Sequence, residues 1–273
     1  KGDFVLYVVM TLPLFFALAL IVWQLGPYKL GMLGAPTTYL LYGAIGVMAA
    51  VQFLRIWQIN GHVFQRPVPA FDRYPFKQVA LLNLVYMASF GSELAVVSML
   101  PLYFLDTFDI SPMLAGMLGG SFALMNLFGR PGGGYLADRY GRKLITILML
   151  AGIAVGYFFM ARIDSSWPLP LAVALVVLCS IFVQGGCGAV YASVPLVKRR
   201  LTGQVAGMAG AYGNVGGVVF LVVLALVPSD QFFLVLGAIA LAIMSLVMIF
   251  MDEPDPQTSE VMPDGSVRMI DVT

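Results

Sequence analysis

Long apolar runs, not alternation, dominate this sequence. The first four extend from Phe4 to Trp23, Tyr39 to Leu54, Val79 to Leu105 and Met113 to Phe128. Four more extend from Leu144 to Ala161, Leu169 to Tyr191, Val205 to Val227 and Phe232 to Met251, with short connections rich in Pro, Gly or charge between them. Some 20 helical residues cross a hydrocarbon core of about 30 Å, so the pattern predicts about eight transmembrane helices. A closed barrel needs alternating segments of about ten residues, and in lipid only helices and closed barrels satisfy their own backbone hydrogen bonds. The expected fold is all-α and integral to the lipid bilayer.

The connections set the orientation. Arg55, Arg66, Arg73 and Lys77 occupy the second, Arg139, Arg142 and Lys143 the fourth, and Lys198, Arg199 and Arg200 the sixth, together ten of the 15 Lys and Arg. Lys and Arg keep loops cytoplasmic, and these three connections alternate, so they are expected to share the cytoplasmic side. The intervening ones hold Lys29, then Asp106 and Asp109, then Arg162 with Asp164, then Asp230, and are expected to face outward. Both ends of the segment then lie in the cytoplasm, beneath the inner (plasma) membrane.

The longest polar connection, Arg55 to Gln78, holds Pro67, Pro69, Pro75 and the single histidine, His62. It divides the chain into two leading helices over 1–60, a cytoplasmic linker over 61–78, a six-helix block over 79–251 and a Pro- and acid-rich cytoplasmic tail over 252–273, expected to be disordered. The chain opens on Lys1 with no leader-like stretch before the first run, so it is expected to be a piece of something longer.

Composition narrows the function. The chain is 60% hydrophobic and 11% charged with a mean hydropathy of +0.91, against roughly 45–50% apolar and about 25% charged in soluble domains. A soluble fold is excluded. With 15 basic and 14 acidic residues and a net charge of +1, nothing is built for nucleic acid. Cys179 and Cys187, eight apart in one helical run, are separated by about 12 Å, beyond the roughly 7 Å that a disulfide spans, and read as small buried apolar residues. His62 has no accompanying ligand cluster and reads as a solvated loop residue, so no metal or cofactor is expected. There is no phosphate loop or nucleophile triad, and an enzyme should show clustered His, Asp or Cys at the interface.

A few polar residues stand inside the apolar runs. Arg130 precedes Asp138 by eight residues, about 12 Å along a helix, which places it deep in the bilayer. A cation there costs a few kcal/mol or more unless it meets a polar cavity or a partner, so it marks either an anion site, for which a planar forked guanidinium suits an oxyanion, or a structural ion pair or snorkelling side chain bent away at Pro131. Asn83, Tyr86, Phe90 and Glu93 follow at spacings of three, four and three, placing them on one helix face. Glu93 is then either the partner of Arg130 or a proton carrier, and Tyr86 and Phe90 are either plain core aromatics or the lining of a slot. Asn214, about 18 Å into its helix, adds donors among glycines that also serve close helix packing.

The stretch Gly134-Tyr135-Leu136-Ala137-Asp138-Arg139-Tyr140-Gly141-Arg142-Lys143 resembles the short cytoplasmic-loop motif of the major facilitator superfamily, which implies a gating loop in which glycine permits close approach, Asp138 pairs with basic residues or caps a helix, and Arg139, Arg142 and Lys143 hold the inner surface. The middle helix of each half of the six-helix block is Gly-rich and polar, an inner symmetry of the kind that builds secondary transporters.

Together with that loop, Tyr86-Met87-Ala88-Ser89-Phe90-Gly91-Ser92-Glu93-Leu94, Gly129-Arg130-Pro131-Gly132-Gly133-Gly134 and Gly210-Ala211-Tyr212-Gly213-Asn214-Val215-Gly216-Gly217 resemble the nitrate/nitrite porter family within that superfamily. The resemblance covers Val79 to about Pro254 and implies helices five to twelve of a bundle that moves nitrate, and nitrite with it, by alternating access. It assigns Arg130 as one of two substrate arginines, Tyr86 and Phe90 as the lining of the nitrate site, and Gly213, Asn214, Gly216 and Gly217 as the second nitrate motif. The other arginine belongs to a second helix that this chain does not contain, and the first Gly-rich nitrate motif is missing from Phe4 to Trp23. Proton symport and anion exchange both stay open, with Glu93 the proton-coupling candidate. The competing readings are a facilitator of another small anion such as an organic acid, a membrane enzyme or receptor, and a non-transporting membrane subunit in which Arg130 is always protein-paired.

Overall fold

The computed structural model describes residues 2–65, 73–253, 257–261 and 266–271. Arg66, Pro67 and Pro69 of the expected linker, and Pro254, lie outside the described residues. Two compact units are present, Lys1–Pro69 and Ala70–Thr273. In the first, α1 (Gly2–Leu25) packs on α2 (Ala35–Asn60), and a single turn, α3 (His62–Gln65), follows. Phe4 meets Phe53, Trp57 and Phe64 edge-on at 5.2–6.4 Å between ring centres. The connection after α2 is shorter than expected, because Arg55 lies inside the helix: nothing from Arg55 to Asn60 breaks a helix, which ends only at Gly61. His62 is exposed, with its ring Nδ1 2.8 Å from the Ile59 carbonyl oxygen.

The second unit contains α4 (Phe76–Tyr86), a π-helical turn (Met87–Gly91), α5 (Ser92–Phe108), α6 (Pro112–Leu124), α7 (Asn126–Tyr140), α8 (Arg142–Met160), α9 (Leu169–Val197), a 3-10 turn (Arg199–Leu201), α10 (Thr202–Leu226) and α11 (Ser229–Phe250). Among the described residues, eight helical stretches are long and apolar enough to cross a membrane, the third comprising α4 to α5 and the fourth α6 and α7. The chain is a multi-pass membrane protein. The core of the second unit is apolar and aromatic, with Phe104, Phe122, Tyr157, Phe220, Phe232 and Phe233 fully buried. Where α6 gives way to α7 at Met125, the buried Ser180 hydroxyl donates to the Phe122 carbonyl at 2.5 Å, satisfying an acceptor that the interrupted helix would otherwise leave bare.

Two expectations are corrected here. The fourth span does not end near Phe128: α7 continues through Pro131 to Tyr140, since a proline near a helix start removes one hydrogen bond without stopping the helix. The loop expected between these two spans therefore shrinks to one residue. Gly134, Asp138 and Arg139 are helical, Gly141 alone turns the chain with φ +102°, and Arg142 and Lys143 begin α8. The tail expected to be disordered contains a strand pair. β1 (Gln257–Val261) pairs antiparallel with β2 (Val267–Asp271), and the β-branched residues of these segments, Thr258, Val261, Val267 and Ile270, outweigh the Pro- and acid-rich composition around them.

One end of the second unit is clasped by Asp252 and Glu253, just beyond α11. Asp252 accepts from Lys77 Nζ at 2.9 Å and from Gln78 Nε2 at 2.7 Å. Glu253 takes the backbone N–H of Arg142 and of Lys143 on its two carboxylate oxygens, each at 2.7 Å, capping the N-terminus of α8 from 110 residues away.

Candidate functional site

The site is built on a seam of glycines. Gly129 and Gly133 of α7 face α9, where a Cβ at Gly133 would collide with the carbonyl of Gly185, one at Gly188 with the carbonyl of Arg130, and one at Gly129 would lie 2.5 Å from the Cβ of Gln184. Small residues let the two backbones touch. As a result Arg130 and Gln184 stand side by side.

Arg130 Nη2 donates to Glu93 Oε2 at 2.8 Å, and its Nε donates to Gln184 Oε1 at 3.1 Å. Nε and Nη2 lie along one edge of the guanidinium, so that edge is fully engaged by protein. Nη1 and the second hydrogen of Nη2 form the other edge, and Nη1 has no hydrogen-bond partner among the described residues. The Arg130 side chain is 30% exposed, against 9% for Glu93. Its plane also lies over the Phe90 ring, 5.2 Å from the centroid, a favourable cation–π distance. Glu93 neutralises the cation, the fork stays open, and the arrangement suits a planar anion.

The aromatic wall adjoins it. Tyr86 and Phe90 stack at 5.2 Å and 15°, and Tyr191 meets Tyr86 edge-on at 5.1 Å. Behind the rings, α10 approaches through its glycines: a Cβ at Gly213 would lie 2.6–2.8 Å from the Tyr86 and Phe90 rings, one at Gly216 2.8 Å from the Met87 carbonyl oxygen, and one at Gly217 2.7 Å from Leu94. Gly91 packs against Gly216 in return. These glycines are buried, and their contacts are with helix, turn and rings. Asn214 is exposed and donates its Nδ2 to the Gly210 carbonyl at 2.9 Å, a local bond within α10.

The structure thus brings Arg130, Glu93, Phe90 and Tyr86 together and seats Gly213, Gly216 and Gly217 behind the aromatics, whereas Asn214 makes no bond to that group. Of the four residues expected on one helix face, Tyr86, Phe90 and Glu93 converge, Phe90 and Glu93 both on Arg130, with the π turn at Met87–Gly91 interrupting the regular helix between them. Asn83 is wholly buried with neither amide atom partnered. At the cytoplasmic-motif end, Asp138 pairs with Arg142 at 2.9 Å, one turn apart, Arg139 donates to the Tyr135 hydroxyl at 2.8 Å, and Arg142 reaches the Ala192 carbonyl. Sequence reasoning missed Gln184, Tyr191 and Glu253. A lone Gln in the apolar run from Leu169 to Tyr191 was the available signal for the first.

The described residues contain no group of three or more His, Cys, Asp or Glu placed to hold a metal, and both cysteines are free and buried. Comparison with known proteins points one way. The description "Major Facilitator Superfamily" belongs to the family whose profile matches residues 4–221 and, in a second overlapping alignment, 82–266. A nitrate/nitrite transporter NrtP of Nostoc punctiforme is 39% identical over 244 residues, covering 88% of this chain and 49% of its own length. One of the same name from Picosynechococcus sp. is 40% identical over 280 residues, 95% of this chain and 52% of its own. A high-affinity nitrate transporter 2.3 of Oryza sativa subsp. japonica is 39% identical over 147 residues, 50% of this chain and 28% of its own. The chain spans about half the length of the first two relatives.

Proposed function

Because the chain belongs to the major facilitator superfamily, we propose that its helices are the C-terminal part of a secondary transporter that carries nitrate, and nitrite with it, by alternating access. In this reading the partners are the small anion, the surrounding bilayer, protons and the remaining helices of the same transporter. The membrane is the inner (plasma) membrane, with both ends of the segment in the cytoplasm and 61–78 as the linker between bundles.

The observation that carries the proposal is the open edge of Arg130. A buried guanidinium that served structure alone would have both edges filled, whereas here Glu93 and Gln184 occupy one edge and leave the Nη1–Nη2 fork free beside Phe90. Nitrate is planar, singly charged and carries three acceptor oxygens, so two of them match a fork and its flat face matches an aromatic wall. Tyr86 and Phe90 shape the slot, and Gly213, Gly216 and Gly217 let α10 hold those rings in place. Asn214, next to Gly213 and exposed, lends a donor when the opposing bundle closes. The Gly134 to Lys143 stretch, with Asp138, Arg139, Gly141 and Arg142, steadies one access state at the cytoplasmic end. When the anion engages Arg130, Glu93 loses part of its counter-charge and takes a proton, which couples the two fluxes.

A non-transporting subunit predicts an Arg130 that is always protein-paired; its pairing with Glu93 and Gln184 agrees with that reading, while the free Nη1 edge favours an anion site. A facilitator of another small anion differs in slot shape alone. Proteoliposomes holding the whole transporter separate these: nitrate uptake should be blocked by unlabelled nitrate and nitrite and left intact by an equal concentration of a dicarboxylate. Equal inhibition by the dicarboxylate favours the organic-anion reading, and no uptake of any anion favours the subunit.

A further inference from the structure

Gln184 sits in the middle of α9, wholly buried, with its backbone held against α7 by the neighbouring glycine contacts. Its Oε1 accepts from Arg130 Nε, while its Nε2 has no partner among the described residues. A buried amide normally satisfies both ends. This one faces its oxygen to the guanidinium and leaves its nitrogen bare, so the bond to Arg130 dictates its orientation. With Glu93 on Nη2, two protein acceptors grip adjacent donors of one edge, and a planar guanidinium held at two points on one edge cannot rotate about its stem.

We propose that Gln184 is a positioning residue that determines anion selectivity: it fixes the plane of Arg130 so that the Nη1–Nη2 fork, and no other edge, meets the substrate. The proposal rests on the anion-transport reading above. A guanidinium free to swing still attracts any monovalent anion by its charge. A fixed fork additionally rewards two oxygens in a plane, which nitrate has and a spherical ion such as chloride lacks. Selectivity for shape, more than attraction to charge, is what Gln184 supplies. The amide is neutral, so it adds this constraint without removing positive charge from the site, as a second carboxylate would.

The test compares competition by nitrate and by chloride for binding to the whole purified transporter, with melting temperature recorded beside it. Gln184→Met keeps the volume and removes the acceptor. It should weaken nitrate binding roughly tenfold, as expected for loss of a charge-assisted constraint on a bidentate site, while chloride binding changes little, so that the nitrate-to-chloride ratio collapses. Gln184→Asn, one methylene shorter, should lose the ratio as well, and serves if the Met protein fails to fold. Gln184→Glu restores an acceptor oxygen and adds a negative charge, so both anions should weaken together and the ratio should largely return. A folded Met or Asn variant with the parental ratio, or a Glu variant whose ratio stays collapsed, overturns the inference. A parent that binds no nitrate overturns the transport reading itself, and the positioning role with it.

Discussion

Gly188 of α9 lies against the backbone carbonyl of Arg130, so close that a single added carbon would occupy the same space. The helix that carries Arg130 is therefore positioned by a residue with no side chain. Gly188→Ala and Gly133→Ala should each force α7 and α9 apart, an overpacking effect of about 1–3 kcal/mol, seen as a lower melting temperature together with weakened anion binding. Gly203→Ala and Gly207→Ala, where an added carbon meets nothing within 4 Å, should change neither.

The clasp made by Asp252 and Glu253 predicts a second pattern. Glu253→Gln keeps the shape but replaces a carboxylate at the N-terminus of α8 by a neutral group, and should lower stability by about 1 kcal/mol, the usual scale of a helix cap. Hydrogen bonding from Lys77, with Gln78 and the nearby charges, holds the Asp252 carboxyl below its ordinary range. A carboxyl depressed in the folded state contributes stability above its unfolded value, about 3.9, and that contribution disappears as pH falls through the lower folded value. Melting curves of Asp252→Asn and of the parent should therefore converge only in strong acid. A parent already matching the variant at neutral pH contradicts the clasp.

Glu93 is buried beside Arg130, and the coupling role proposed for it has a direct signature. Glu93→Gln should abolish nitrate accumulation driven by a proton gradient and leave nitrate exchange between the two sides measurable in proteoliposomes. Accumulation against a gradient at the parental rate shows that the carboxylate is only the structural partner of Arg130.

The side of the membrane can be read by chemistry at the loops. Cysteine introduced at Gly61, Gly141 or Thr202 should be protected from an impermeant thiol reagent added to intact cells. Cysteine at Gly34, Thr107, Ser165 or Ser229 should react. Strong labelling at position 141 from outside reverses the proposed orientation.

Much of this architecture was legible because lipid leaves the chain few options: apolar length fixes the helices, and the deep charges Arg130 and Glu93 stand out against it. What stayed hidden has specific causes. The π turn at Met87–Gly91 is one extra residue of backbone, with no composition to betray it. Gln184 is an ordinary polar residue until the glycine contacts place it on Nε of Arg130. Glu253 and the start of α8 are joined across 110 residues, a pairing no local pattern encodes. The cytoplasmic motif looked like a loop because its glycines and charges are loop residues elsewhere, yet only Gly141 has a backbone angle that leaves the helix.

Arg130 carries the central claim, and calorimetric titration of the purified whole transporter with nitrate tests it most directly. Lysine keeps the charge but offers a point donor on a flexible stem in place of a planar fork. Arg130→Lys should therefore weaken nitrate binding by about 1.5–3 kcal/mol, the range for a charge-assisted hydrogen bond, or roughly ten- to a hundredfold. Arg130→Ala should bind more weakly still. Both proteins should reach the membrane, since removing or replacing a costly buried cation does not of itself unfold the bundle. A well-folded Arg130→Lys protein that binds nitrate as tightly as the parent would contradict the account.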